Sequence, residues 1–153
     1  VEGPFSAALS DFVGKPLRLF RVVAEGGAVD ERVVSLLSEA SLEELGRQSG
    51  HDGPVDGRRF RMLVTVAGVG AHEEDEWIGR RLRLGEAVVT VVETCVRCAT
   101  TTQSPESGAR DFDTLRLIPA YRGFANGKHV EFGVYADVEE PGRVRVGDPV
   151  EPL

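Results

Sequence analysis

Apolar and polar positions alternate along this chain in short stretches, mostly with a period of two. Residues 16–23 interleave Leu17 and Leu19 with Arg18, and Arg21 follows Phe20, which predicts a half-buried strand closed by a Gly26-Gly27 turn. Residues 32–37 form a second extended apolar run. Ser41 followed three residues later by Glu44 has the spacing of a capping box, so a short helix is expected over residues 42–48. Glycine, proline and aspartate then make a loop of residues 49–57. Further strands are predicted over 60–66, 81–84, 87–94 and 130–138, with Gly85-Glu86 as a tight turn between the 81–84 and 87–94 strands. A second helix starts near Asp111 or Asp113 and is expected to stop at Pro119. Pro141-Gly142 turns the chain into an alternating run at 143–146, and Gly147-Asp148-Pro149 leads to a last short strand. Seven or more short strands and two small helices predict a mostly β architecture, a barrel or a sandwich. Long helices do not alternate with the strands, which argues against a doubly wound α/β sheet.

Composition narrows the function classes. A chain of 153 residues fits one domain, and its 18 Lys and Arg against 25 Asp and Glu give a net charge of −7. That balance argues against general binding to nucleic acid or to an anionic membrane, since both need a basic surface. No apolar stretch is long enough for a membrane-spanning helix. Val1-Glu2-Gly3-Pro4 has neither the basic start nor the apolar core of a signal peptide. Two cysteines do not make a secreted disulfide scaffold. A cytoplasmic single-domain protein is the expectation.

The run Cys95-Val96-Arg97-Cys98, followed by Thr100, Thr101 and Thr102, is the densest chemistry in the sequence. It comes directly after a predicted strand. A neighbouring arginine favours thiolate, the form of cysteine that attacks and that binds soft metals. A zinc site would need two further ligands from the three scattered histidines, His51, His72 and His129. A thioredoxin-like redox pair would need a βαβ context that is missing. Two buried cysteines filling core space remain the plain alternative. Arg58, Arg59 and Arg61 around Phe60 suit an anion, whereas Arg80, Arg81 and Arg83 read as a solvated strand edge. The acidic run from His72 to Glu76 reads as a solvated loop. Phosphate-loop, dinucleotide, nucleophile-elbow and zinc-protease motifs are all absent.

Several pieces occur in one order. They are Ser38-Glu39-Ala40-Ser41-Leu42, Arg59-Phe60-Arg61, Glu74-Asp75-Glu76-Trp77, Cys95-Val96-Arg97-Cys98 with Thr101-Thr102, Tyr121-Arg122, Phe132-Gly133-Val134-Tyr135, and Pro141-Gly142-Arg143-Val144-Arg145-Val146-Gly147-Asp148-Pro149-Val150. This series resembles the MOSC domain, best from about residue 36 to the end, with residues 1–35 less well matched. The resemblance implies a MOSC-type β-barrel with two or three short helices that binds molybdenum cofactor, a molybdopterin. It implies that Cys98 ligates molybdenum and that Arg61 holds the cofactor, with Ser38, Ser41, Arg97, Thr101 and Thr102 in the same binding set. The implied activity is reduction of N-hydroxylated substrates with a redox partner protein. The other implied role is a metal-free sulfur carrier, with Cys98 as persulfide site between a sulfur donor and an acceptor. The family's Asn-Phe-Arg-Pro-Asn stretch reads Arg59-Phe60-Arg61-Met62-Leu63 here, and its Lys-Ser pair has no counterpart in the chain.

Overall fold

The computed structural model describes residues 4–21 and 31–153. The chain divides into two compact units, Val1–Asp30 and Glu31–Leu153. In the first, helix α1 (Pro4–Val13) ends at Gly14. The sequence held only weak signals for this helix. Residues 16–21 form no strand. Their backbone is held by α1 instead, with Ser10 Oγ accepting from Leu17 N at 2.8 Å and Ser6 Oγ from Leu19 N at 3.2 Å. Serine hydroxyls offering local partners of this kind compete with a sheet ladder. Residues 22 and 23 and the Gly26-Gly27 turn lie outside the described residues.

The second unit is built on one six-stranded sheet of order β2-β1-β5-β4-β3-β6. Its strands are β1 (Val34–Ser38), β2 (Val64–Val66), β3 (Arg81–Leu84), β4 (Ala87–Val96), β5 (Glu131–Glu140) and β6 (Val150–Pro152). Only β1 and β2 run parallel. A parallel pair needs a crossover, and helix α2 (Glu39–Ser49) supplies it. The mostly β expectation holds, with the sheet curled into a half-barrel. The long β4–β5 pair carries three register shifts, the kind of irregularity that bends strands and increases twist.

Helix α2 begins three residues earlier than the capping box suggested. Ser38, not Ser41, is the cap, and its hydroxyl accepts from Ser41 N at 3.1 Å. The strand expected over 60–66 shrinks to β2. Residues Gly57–Phe60 form a 3-10 turn, and Arg61 then takes a left-handed conformation with φ 54°. Helix α3 (Thr114–Arg122) is capped by Asp113 as expected, but it contains Pro119 and ends at Gly123. The run at 143–146 is not a strand. It forms a loop tied to Glu86 and Asp148, and Val146 is fully exposed with no strand to alternate against. The hairpin turn at Gly85 follows prediction. Its φ of 56° favours glycine, and a Cβ there would lie 2.3 Å from Asp148 Oδ2.

Adjacent residues Leu36 and Leu37 send their side chains to opposite faces of the sheet. Leu36 joins Leu82, Val91, Val134 and Trp77 on one face. Leu37 joins Leu45 of α2, Ile118 of α3, Phe60 and Phe132 on the other. The second cluster includes Phe60, the residue before Arg61.

Candidate functional site

The two cysteines have opposite environments. Cys95 is fully buried on β4, and burial pushes its thiol up to about 12. Cys98 lies two residues past the end of β4 and is exposed, and neither cysteine is in a disulfide. Its Sγ is 3.5 Å from Thr100 Oγ1, close enough for the threonine hydroxyl to donate to a thiolate. That contact, the Thr100 backbone and the charge of Arg97 hold the Cys98 thiol below its ordinary range. An accessible thiol with a stabilised anion has the properties of a reactive or ligating cysteine.

The arginines divide by use. Arg58 is paired with Asp56 and Glu106. Arg59 is buried, donating through Nη1 to Thr101 O at 3.2 Å, Gln103 O at 3.0 Å and Asp111 Oδ1 at 3.2 Å. Arg97 reaches inward, and its Nε donates to Phe132 O at 2.7 Å. Arg81 pairs with Glu139 and Glu140 on the solvated sheet surface, but β3 is not the edge the sequence suggested, since it pairs with both β4 and β6. Arg61 is exposed; its backbone N donates to Arg58 O at 3.1 Å, while its side chain makes no hydrogen bond or ion pair to a described residue. Its guanidinium is therefore the one in the 58–61 cluster free to meet an anion.

The hydroxyls expected beside the ligand are occupied within the protein. Thr101 Oγ1 donates to Cys98 O at 3.0 Å and pairs with Thr114 Oγ1 at 2.6 Å, while Thr102 Oγ1 donates to Ala99 O at 2.7 Å. Both threonines are buried. They shape the 3-10 turn Ala99–Thr102 that follows Cys98. Ser38 and Ser41 are also buried, with their Oγ atoms 2.7 Å apart. Ser41 Oγ donates to Glu74 Oε1 at 2.8 Å, and Ser38 N donates to the same oxygen at 3.3 Å.

The acidic run is not a solvated loop throughout. Glu74 is fully buried in the 3-10 turn Glu73–Trp77, and its Oε2 has no partner among the described residues. His72 sits beside it with φ 63°. Its Nε2 is 3.2 Å from Tyr121 Oη, and its Nδ1 faces Ser41 Oγ and Arg122. Burial and the Arg122 charge push the His72 imidazole below its usual range. Arg122 also bonds Asp75, so α3 is locked to this turn. Sequence reasoning missed the network, although Glu74 and Trp77 are three residues apart, a spacing that puts both on one side of a 3-10 turn.

No group of three or more His, Cys, Asp or Glu among the described residues could hold a metal ion. A site built on Cys98 alone would need its other ligands from elsewhere. No helix among the described residues is long and apolar enough to cross a membrane.

Comparison with known proteins agrees with this architecture. The MOSC domain family model matches residues 23–151. Mitochondrial amidoxime-reducing component 1 from Mus musculus is 34% identical over 139 residues, 86% of this chain and 40% of that protein. Molybdenum cofactor sulfurase from Oryza sativa subsp. japonica is 31% identical over 121 residues, 73% of this chain and 14% of that protein. The chain thus spans less than half the length of these relatives. The crystal structure of YiiM from Geobacillus stearothermophilus superposes with a TM-score of 0.57 at 19% identity, covering 80% of this chain and 54% of that one, so it bears on the fold alone. With the strand order, the ordered motifs and a family match over most of its length, the chain belongs to the MOSC domain family.

Proposed function

We propose that this MOSC domain binds molybdenum cofactor with the Cys98 thiolate as a ligand of the metal, and that it serves reduction of N-hydroxylated substrates. The single observation carrying this is an exposed, anion-stabilised Cys98, in a family whose relatives are amidoxime-reducing components, and it is supported by an exposed Arg61 whose guanidinium has no partner among the described residues. The residues fit the group in part. A free thiolate suits a soft metal centre, and an unengaged guanidinium suits an anionic pterin tail. The hydroxyls of Ser38, Ser41, Thr101 and Thr102 are already committed, so their role is to hold the loops around the ligand.

Bound at such a site, the cofactor supplies the electron chemistry, and the protein supplies binding and orientation. Cleavage of an N–O bond to an amine takes two electrons and two protons and releases water, so a redox partner protein must deliver the electrons. Chemically reduced protein should convert an N-hydroxylated amidine to the amidine. Cys98→Ser should abolish turnover and Cys95→Ser should leave most of it. Equal loss in both variants would contradict the assignment.

The match to a cofactor sulfurase, together with the accessible free thiol, supports a second reading as a sulfur carrier. In that role the Cys98 thiolate attacks the outer sulfur of a donor persulfide, forms a new S–S bond, and releases the donor thiolate. Incubation with a persulfide donor would then add about 32 Da at Cys98, one sulfur atom. An unmodified Cys98 would remove this reading.

A further inference from the structure

Arg97 is held without any carboxylate partner among the described residues. Its Nε donates to Phe132 O at 2.7 Å, its Nη2 bonds the same carbonyl and lies 2.9 Å from Met62 Sδ, and its Nη1 donates to Phe60 O at 3.3 Å. Four of the five N–H donors of a guanidinium are therefore committed to neutral groups of the protein. Desolvating a cation among neutral acceptors is costly, so this arrangement needs a compensating role.

What the fork spans suggests that role. Phe60 and Met62 are the two chain neighbours of Arg61, and Cys98 is the chain neighbour of Arg97. The side chain crosses β5 at Gly133, where an added Cβ would sit 2.8 Å from Met62 Cε and 3.4 Å from Arg97 Nη2. The backbone N of Arg97 is fixed as well, donating to Val130 O at 2.7 Å. One residue thus ties the start of the Cys98 loop to both sides of the left-handed turn at Arg61.

We infer that Arg97 is a positioning residue that sets where Arg61 stands relative to Cys98, and that it does not itself contact the bound anion. The inference rests on the proposed function only in treating Cys98 and Arg61 as one site. Arg59, within the turn that precedes Arg61, anchors it separately by donating to Thr101 O and Gln103 O. Arg61 is left as the exposed cation, and its placement is imposed by two inward-facing neighbours.

The test uses Cys98 as its own reporter, with no cofactor needed. Rates of Cys98 alkylation by anionic iodoacetate and neutral iodoacetamide are compared at one pH, and their ratio reports a cation beside the thiolate. Arg61→Gln should lower that ratio by about three- to tenfold. Arg97→Met should lower it by the same factor, and the double variant should lose no more than either single one. Arg97→Lys keeps the charge but cannot reach three acceptors, so it should lose the preference too, and it replaces the Met variant if that one does not fold. Losses that multiply in the double variant would make Arg97 a second anion contact and overturn the inference. Retained preference in Arg97→Met, restored preference in Arg97→Lys, or no effect of Arg61→Gln would overturn it as well. Molybdenum content is measured separately, so failure here leaves the proposed function standing, and failure of that function leaves this result intact.

Discussion

Cys95 and Cys98 differ by three positions and by nearly everything that governs sulfur chemistry. Cys95 falls on an inward position of β4, while Cys98 is past the strand end, where the backbone no longer returns it to the core. Native protein at neutral pH should therefore react with iodoacetamide at Cys98, with Cys95 labelled only after unfolding. Peptide mass spectrometry measures both. Because the Cys98 thiol is held below its ordinary range, its alkylation should persist to lower pH than that of a free cysteine, whose pKa is about 8.5. A midpoint at or above the free value would refute the stabilisation by Thr100. The spacing of the Cys-x-x-Cys run left both sulfurs equivalent, and only the family resemblance singled out Cys98. The physical difference between them comes from the strand's end point, and that end is set by pairing to β5. At Arg61, the resemblance supplied the residue and the structure supplies its freedom, since its neighbours Arg58 and Arg59 are spent on protein groups. Replacing Arg61 with alanine should weaken binding of an anionic pterin by about 1.5–3 kcal/mol, as loss of a charge-assisted hydrogen bond would. Titration calorimetry reads this directly, and unchanged affinity would show that Arg61 does not hold the ligand.

Among the elements, the junction of β1 and α2 concentrates the most structural consequence. Ser38 ends the strand, caps the helix and supports the contact between Ser41 and buried Glu74. Ser38→Ala should cost about 1–3 kcal/mol, a lost cap plus weakened buried hydrogen bonds, in urea unfolding. A cost near zero would mean that Ser41 can take over the cap. His72, in the same network, has a depressed pKa in the folded protein. The unfolded chain then binds a proton more readily than the folded one, so stability is full above about pH 6.5 and falls as pH drops through the folded pKa. His72→Asn should flatten that acid limb, since asparagine tolerates the left-handed backbone and carries no titrating group. These features were poorly legible. Ser38 and Ser41 are both plausible caps, and the Ser41–Glu44 spacing favoured the wrong one. Glu74 reads as one carboxylate in a run of four, and nothing in that run announces the Ser41 hydroxyl and Ser38 backbone N–H that meet its buried Oε1.

At the scale of the whole molecule, strand identity was largely legible because β3, β4 and β5 alternate or run apolar between glycine turns. The failures occurred where alternation had no partner strand, at 16–21 and 143–146, and at 60–63, where a 3-10 turn and the left-handed Arg61 precede β2. A period of two records which side chains can share a face, but a strand also needs a neighbour to take its hydrogen bonds. The half-barrel brings together loops distant in sequence, so the tie between Arg97 and the Arg61 turn could not be read from either segment alone. The central claim is that the sulfur of Cys98 binds the metal of a molybdenum cofactor. Metal analysis of protein expressed in a cofactor-replete host tests it most directly, comparing the unaltered chain with Cys98→Ser. Near-stoichiometric molybdenum in the first and a large loss in the second is the predicted result. Equal molybdenum in both, or none in either, would contradict it.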